Sequence, residues 1–167
     1  SRHHIYKAVF REWHMVEPAS AGQDFDLQDY YDHPDKYRGV FEQYVPNLDV
    51  LVNAIYWTER YPRLVTKAYV EDLFGRQETP RLRVIGDISC DIEGSIEVTM
   101  KAPMPEAPCY VYDPDSGEVT DGVRGNGPVI MSVDNLPCEL PRESSEHFSS
   151  VLHEMMPALG QADFETG

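Results

Sequence analysis

Basic residues are scarce in this chain. Fourteen lysines and arginines stand against 29 aspartates and glutamates, a formal net charge of −15 over 167 residues. A surface of that sign repels nucleic-acid phosphates and anionic lipid heads, so no nucleic acid and no membrane is expected as a partner. Cysteine is scarce too. Cys90, Cys109 and Cys138 are odd in number and lack CxxC spacing, which argues against a disulfide framework and a zinc site and suits a reducing, intracellular compartment. No apolar run approaches the roughly 18–20 residues of a membrane span, and no signal-like segment is present. An initiating methionine is also missing: the chain begins Ser1-Arg2-His3-His4, so any targeting segment is expected upstream.

Two further motifs are wanting. His3-His4 and His14 have no HExxH or acid cluster beside them, so they read as solvated side chains and no metal is expected. Gly122-Val123-Arg124-Gly125-Asn126-Gly127 is not GxGxxG, and it precedes an apolar run where a dinucleotide fingerprint follows a strand and opens a helix. It reads as a turn.

What is present is an ordinary globular composition, 41% apolar, with a rhythm of short elements. Residues 17–24 read as an exposed loop. Residues 27–45 read as helix in two pieces, Pro34 starting the second and Tyr37, Val40, Phe41 and Tyr44 forming its buried face. Residues 49–55 are nearly all apolar and predict a strand buried on both faces. Thr66 caps a helix over 67–74 that Gly75 closes. Residues 81–88 and 128–133 predict two more buried strands. Between them, residues 92–127 alternate apolar and polar positions around the strong turn Asp113–Gly117, which predicts a hairpin-rich excursion from the sheet. Pro141 opens a helix over 141–159 with Phe148, Val151, Leu152, Met155 and Leu159 as an apolar stripe. The class is α/β, with a parallel sheet of the βαβ kind.

Ligands of open α/β sheets bind beyond the carboxyl ends of the strands. Three such ends carry polar or aromatic groups here: residues 53–57, 87–91 and 132–137. Their convergence on one rim is the main functional expectation. Cys90 has no readable His or Asn partner and reads as a buried thiol rather than a nucleophile. The Tyr30-Tyr31 pair lacks interleaved bases and reads as packing.

The chain resembles the lysine–ketoglutarate reductase part of aminoadipic semialdehyde synthases, and more sparsely the fungal saccharopine dehydrogenases. The likeness is carried by SRHH at 1–4, YYDHPDKYRGVF at 30–41, LVNAIYWTERYPRLVT at 51–66, GDISCDIEGSIEVT at 86–99 and VDNLPCELPRESSEHF at 133–148. It implies that residues 1–167 are the second half of a Rossmann-type dinucleotide-binding domain, with the glycine loop, the substrate domain and the acid–base lysine and histidine upstream. No catalytic residue is therefore assigned within the chain.

The implied reaction joins L-lysine to 2-oxoglutarate and reduces the product to saccharopine with NADPH, a step of lysine degradation; NAD is the other cofactor it allows. The implied cofactor contacts are Tyr56, Ile88, Val133, Asp134, Asn135 and Leu136. Ser89, Cys90 and Asp91 would face the substrate, and Arg2 would lie near the residues that choose the cofactor. The implied compartment is mitochondrial or cytosolic, and an unpaired sheet edge would favour self-association. Two other readings stay open: a stand-alone acidic binding or regulatory module with half a dehydrogenase fold, and a fragment of an enzyme like alanine dehydrogenase.

Overall fold

The computed structural model describes residues 3–76 and 79–163; Arg2 lies outside them. The chain forms two compact units, residues up to Asp134 and residues from Asn135 onward.

In chain order the first unit holds α1 (Glu12–Met15), β1 (Val16–Pro18), α2 (Leu27–Asp32), β2 (Tyr37–Gly39), β3 (Val50–Asn53), α3 (Lys67–Arg76), β4 (Val84–Asp87), β5 (Cys109–Tyr112), β6 (Val119–Asp121) and β7 (Val129–Met131). Strands β1 and β2 form a small antiparallel ribbon. The other five make one mixed sheet in the order β3-β4-β7-β5-β6. Strands β3, β4 and β7 run parallel, and β5 and β6 continue the sheet antiparallel from β7. The class is thus α/β, with a mixed sheet. The segment 92–127 does not leave that sheet: its hairpin pairs Tyr110 with Ile130 and extends the sheet by two strands.

Three expectations change. Strand β3 is buried on one face only: Leu51 and Asn53 point inward, whereas Val50 and Val52 are 56% and 65% exposed. It is an edge of the sheet, and nothing among the described residues of this unit buries its second face. Residues 27–45 are helical only at Leu27–Asp32 and in short 3₁₀ turns. Tyr37 lies in β2, and Phe41 and Val45 belong to the turns that follow. Gly39 explains part of this, because a Cβ there would stand 3.1 Å from Pro62 Cβ, so the chain passes close against a neighbouring segment. Gly75 does not close α3, which continues to Arg76.

Thr66 caps α3 as its chemistry suggests. Its Oγ1 accepts from Tyr69 N at 3.1 Å and donates to Glu42 Oε1 at 2.7 Å. The helix buries Val70 and Leu73 in a core shared with Leu51, Leu82, Ile85, Ile96, Val98, Tyr110 and Ile130. The turn after β5 is built by Asp113, whose side chain accepts from Asp115 N at 2.9 Å and whose carbonyl accepts from Gly117 N at 2.8 Å.

The second unit holds a 3₁₀ turn, Leu136–Glu139, and α4, Pro141–Gln161. Pro141 opens the helix because its missing N–H would be unpaired there anyway. Phe148, Val151, Met155 and Leu159 lie along it, and none of its described residues is buried.

Two glycines give opposite expectations. Gly127 has φ +136°, and a Cβ on it would meet Tyr112 O at 1.9 Å. Gly127→Ala should therefore destabilise the protein by about 3 kcal/mol or more. Gly75 sits inside α3 with open space around it, so Gly75→Ala should stabilise by about 0.5–1 kcal/mol. Urea unfolding midpoints of the two variants check both signs.

Candidate functional site at the strand ends

The parallel register aligns Val50 with Val84 and Asn53 with Asp87, and Val84 in turn with Val129. The carboxyl ends of β3, β4 and β7 therefore share one rim. The inward phase of β3 and β4 ends in polar residues, Asn53 and Asp87, which are 2% and 0% exposed.

A buried carboxylate must be satisfied by donors. Asp87 accepts from Asn53 Nδ2 at 2.8 Å, Ser89 Oγ at 2.7 Å and Thr99 Oγ1 at 2.5 Å. Asn53 Nδ2 also reaches Ser89 Oγ at 3.0 Å and Ser95 Oγ at 2.8 Å. The amide is oriented by the carboxylate, which accepts only from the nitrogen end, and this leaves the buried Asn53 Oδ1 without a protein partner. Two strand ends and the segment 88–99 are thus held by one polar cluster. Its partners for Asp87 are neutral amide and hydroxyl groups.

That cluster sets the geometry of residues 88–91. Ile88 N donates to Asn53 O at 2.7 Å, so pairing with β3 runs one residue past β4. Cys90 then takes φ +56°, a left-handed conformation that favours a residue with little or no side chain. Its Sγ donates to Asp87 O at 3.2 Å. Burial pushes the Cys90 thiol above its ordinary pKa, and the charges of Asp87, Asp134 and Asp91 push it further. Burial and the negative charge of three carboxylates thus both disfavour the thiolate.

The expected site residues are distributed as follows. Ser89, Cys90, Asp91 and Asp134 gather at the ends of β4 and β7. Ser89 commits its proton to Asp87, which leaves an acceptor lone pair for a ligand. Ile88 is 40% exposed and Asp134 is exposed, but Val133 is 2% exposed, so its side chain faces the core. Asn135 and Leu136 open the second unit, where Asn135 O accepts from Cys138 N at 2.9 Å. Tyr56 is 86% exposed and lines a cavity of about 400 Å³ with Glu12, Tyr30, Tyr31 and Trp57. The structural roles of Asn53 and Asp87 had no motif behind them. The available signal was phase: each is a polar residue at an inward position of a strand.

A nicotinamide dinucleotide needs a surface for its ring and ribose and a backbone cradle for its pyrophosphate. Ile88 and Tyr56 offer exposed apolar and aromatic surface at the rim. Among the described residues no glycine-rich turn leads from a strand into a helix, since Gly122–Gly127 joins β6 to β7. The residues present fit the ring end of such a cofactor and not its phosphates.

The shifted thiol gives a pH expectation. A raised pKa keeps Cys90 protonated at pH 8, where free cysteine is already partly thiolate. Iodoacetamide labelling of Cys90, followed by peptide mass spectrometry, should lag behind free cysteine and reach its midpoint at higher pH. A profile matching free cysteine would contradict the burial and negative surroundings of this thiol.

No protein-family model matches the chain. It is 35% identical over 156 residues to the alpha-aminoadipic semialdehyde synthase of Arabidopsis thaliana, covering 93% of this chain and 14% of that protein. It is 32% identical over 172 residues to the mitochondrial alpha-aminoadipic semialdehyde synthase of Bos taurus, covering 95% of this chain and 18% of that protein. It is also 37% identical over 131 residues to saccharopine dehydrogenase [NAD(+), L-lysine-forming] of Emericella nidulans, covering 74% of this chain and 30% of that protein. The chain thus spans less than a third of the length of these relatives. With 93% and 95% of its length aligned to the two semialdehyde synthases and 74% to the fungal dehydrogenase, the chain belongs to the aminoadipic semialdehyde synthase and saccharopine dehydrogenase family, as the counterpart of one stretch of those proteins.

Proposed function

We propose that this chain is part of an oxidoreductase that forms saccharopine from L-lysine and 2-oxoglutarate in lysine degradation. In this reading it supplies one wall of the cofactor and substrate cleft, as the second half of a dinucleotide-binding domain. The observation that carries the reading is the shared rim of β3, β4 and β7, where Asp91 and the exposed Asp134 follow the strand ends beside the buried Asp87. A negative rim of this kind attracts a cationic amine and orients it.

The roles follow from placement. The buried Asn53–Asp87 cluster holds residues 88–91 in position. Ser89, Cys90 and Asp91 face the substrate, Cys90 serving as a small neutral filler and not as a nucleophile. Asp134 is the main electrostatic group, exposed at the end of β7. Ile88 and Tyr56, with Asn135, Leu136 and the backbone of Val133, border the cofactor, which would supply the hydride when bound. The acid–base groups lie in other parts of the polypeptide, so this chain contributes positioning and charge. NADPH is the proposed cofactor. NADH is the second reading, favoured by the NAD(+) in the names of the fungal relatives. A mitochondrial site of action is proposed from the names of the mammalian relatives, with the cytosol as the other possibility.

The test is NADPH oxidation by the full natural polypeptide with lysine and 2-oxoglutarate, beside its Asp134→Asn variant. Lysine-dependent turnover is expected, reduced about tenfold or more in the variant, with NADPH binding retained. A folded polypeptide that binds NADPH but does not turn over with lysine would overturn the assignment. Turnover with pyruvate and ammonia instead would move it to the alanine dehydrogenase-like reading.

A further inference from the structure

The stretch that runs from β6 to β7 takes no part in the strand-end rim, yet it carries two reactive junctions, Asp121–Gly122 and Asn126–Gly127. The main-chain nitrogen after an Asp or Asn lies close to the side-chain carbonyl carbon of that residue. Its attack there closes a five-membered ring, and such an intramolecular step needs only proximity and an unengaged N–H. Glycine obstructs the attack least, because no Cβ shields its nitrogen.

The fold treats the two junctions differently. Gly122 N donates to Cys109 O at 2.9 Å, which ties it to β5. The Asp121 carboxylate is held as well, by Lys101 Nζ at 2.5 Å. Gly127 N, by contrast, donates to no group among the described residues. Asn126 is exposed, and one hydrogen bond holds its side chain, from Nδ2 to Asp115 Oδ2 at 3.0 Å. A single exposed hydrogen bond competes with water and releases the amide often. The other three asparagines each precede a residue with a side chain: Leu48, Ala54 and Leu136. Leu48 N is engaged with Val45 O at 3.0 Å, and Asn53 is buried with its amide bonded to Asp87, Ser89 and Ser95.

We propose that Asn126 is a site of spontaneous covalent modification, converting to an aspartyl or isoaspartyl residue through a cyclic imide with Gly127. Gly127 N bonds to Asn126 Cγ and gives its proton to solvent. The Cγ–Nδ2 bond breaks, and Nδ2 takes up a proton and leaves as ammonia. Water then opens the ring. Opening at the side-chain carbonyl leaves an aspartyl residue. Opening at the main-chain carbonyl leaves an isoaspartyl residue, whose chain runs through Cβ and Cγ and is one methylene longer. No oxidant or reductant takes part.

The location gives the product a structural effect. Glycines on both sides of Asn126 press on β5: a Cβ on Gly125 would stand 3.0 Å from Val111 Cγ1, and one on Gly127 would stand 1.9 Å from Tyr112 O. One residue further on, Pro128 O accepts from Tyr112 N at 3.2 Å, where β5 and β7 meet. A methylene inserted between these contacts lengthens a path that has no slack. Either product also sets a second carboxylate against Asp115 where an amide donor stood. The modification therefore loosens the hairpin at its junction with β7.

The experiment ages the full natural polypeptide in mildly alkaline buffer, folded and in guanidinium, and follows the peptides carrying residues 121 and 126 by chromatography and mass spectrometry. In the folded polypeptide Asn126 should convert at least about tenfold faster than the other three asparagines, and within about threefold of its unfolded rate. Asp121, whose following N–H is held, should isomerise at least about tenfold more slowly folded than unfolded. Asn126→Gln, which would need a larger ring, should abolish the product. The isoaspartyl fraction should unfold at lower urea concentration than the unaged protein. An Asn126 that stays intact in the folded polypeptide, another asparagine converting as fast, or Asp121 protected no better than Asn126 would overturn the proposal. An unchanged urea midpoint would overturn the effect on the hairpin. Mass and retention are read without turnover, so none of these outcomes depends on the reductase reading.

Discussion

The hydrogen-bonded contact between Asn53 and Asp87 governs the arrangement of everything around the strand-end rim. Two neighbouring parallel strands end in polar side chains that point into the core, and a carboxylate there is tolerable only when donors surround it. The chain supplies those donors from Asn53, Ser89 and Thr99, three positions far apart in sequence. Meeting that requirement fixes the course of residues 88–99. The left-handed backbone at Cys90 and the crowding of Asp87, Asp91 and Asp134 about its thiol come with it. The electrostatic character of the rim is thus a by-product of satisfying one buried acid.

Much of this was legible in the sequence where a single local rule decided the outcome. Apolar runs at 49–55, 81–88 and 128–133 contain the three parallel strands, Thr66 caps a helix, Pro141 opens one, and Asp113–Gly117 turns. The misreadings came where two rules competed. Tyr37, Val40, Phe41 and Tyr44 have helical spacing, but Gly39 and Pro46 break the segment and the ribbon with β1 claims Tyr37. A buried aromatic is content in either setting, so spacing alone could not separate them. The run at β3 looked buried on both faces because composition does not reveal where in the sheet a strand will sit.

The site was half legible for a similar reason. Strand ends at 87–91 and 132–134 converge as the topology of an α/β sheet requires. The hydrogen-bond partners Ser95 and Thr99 carry no motif, and only the folded register brings Ser95 to Asn53 and Thr99 to Asp87. Tyr56 illustrates the opposite case. Its place after β3 was readable, yet its neighbours Glu12 and Tyr31 arrive from an amino-terminal segment whose path no pattern announced.

The antiparallel continuation of the sheet has a kinetic consequence. Strands β5, β6 and β7 follow one another closely in sequence, so their pairings close short loops. Pairing β3 with β4, and β4 with β7, closes longer ones. Loop-closure entropy therefore favours assembly of the hairpin half first, with Tyr110 and Ile130 already in register. That half then offers β7 as a template on which β4 docks, and β3 is the last to be added. The order of folding expected from loop closure therefore runs backward along the chain, from the hairpin strands toward the exposed edge.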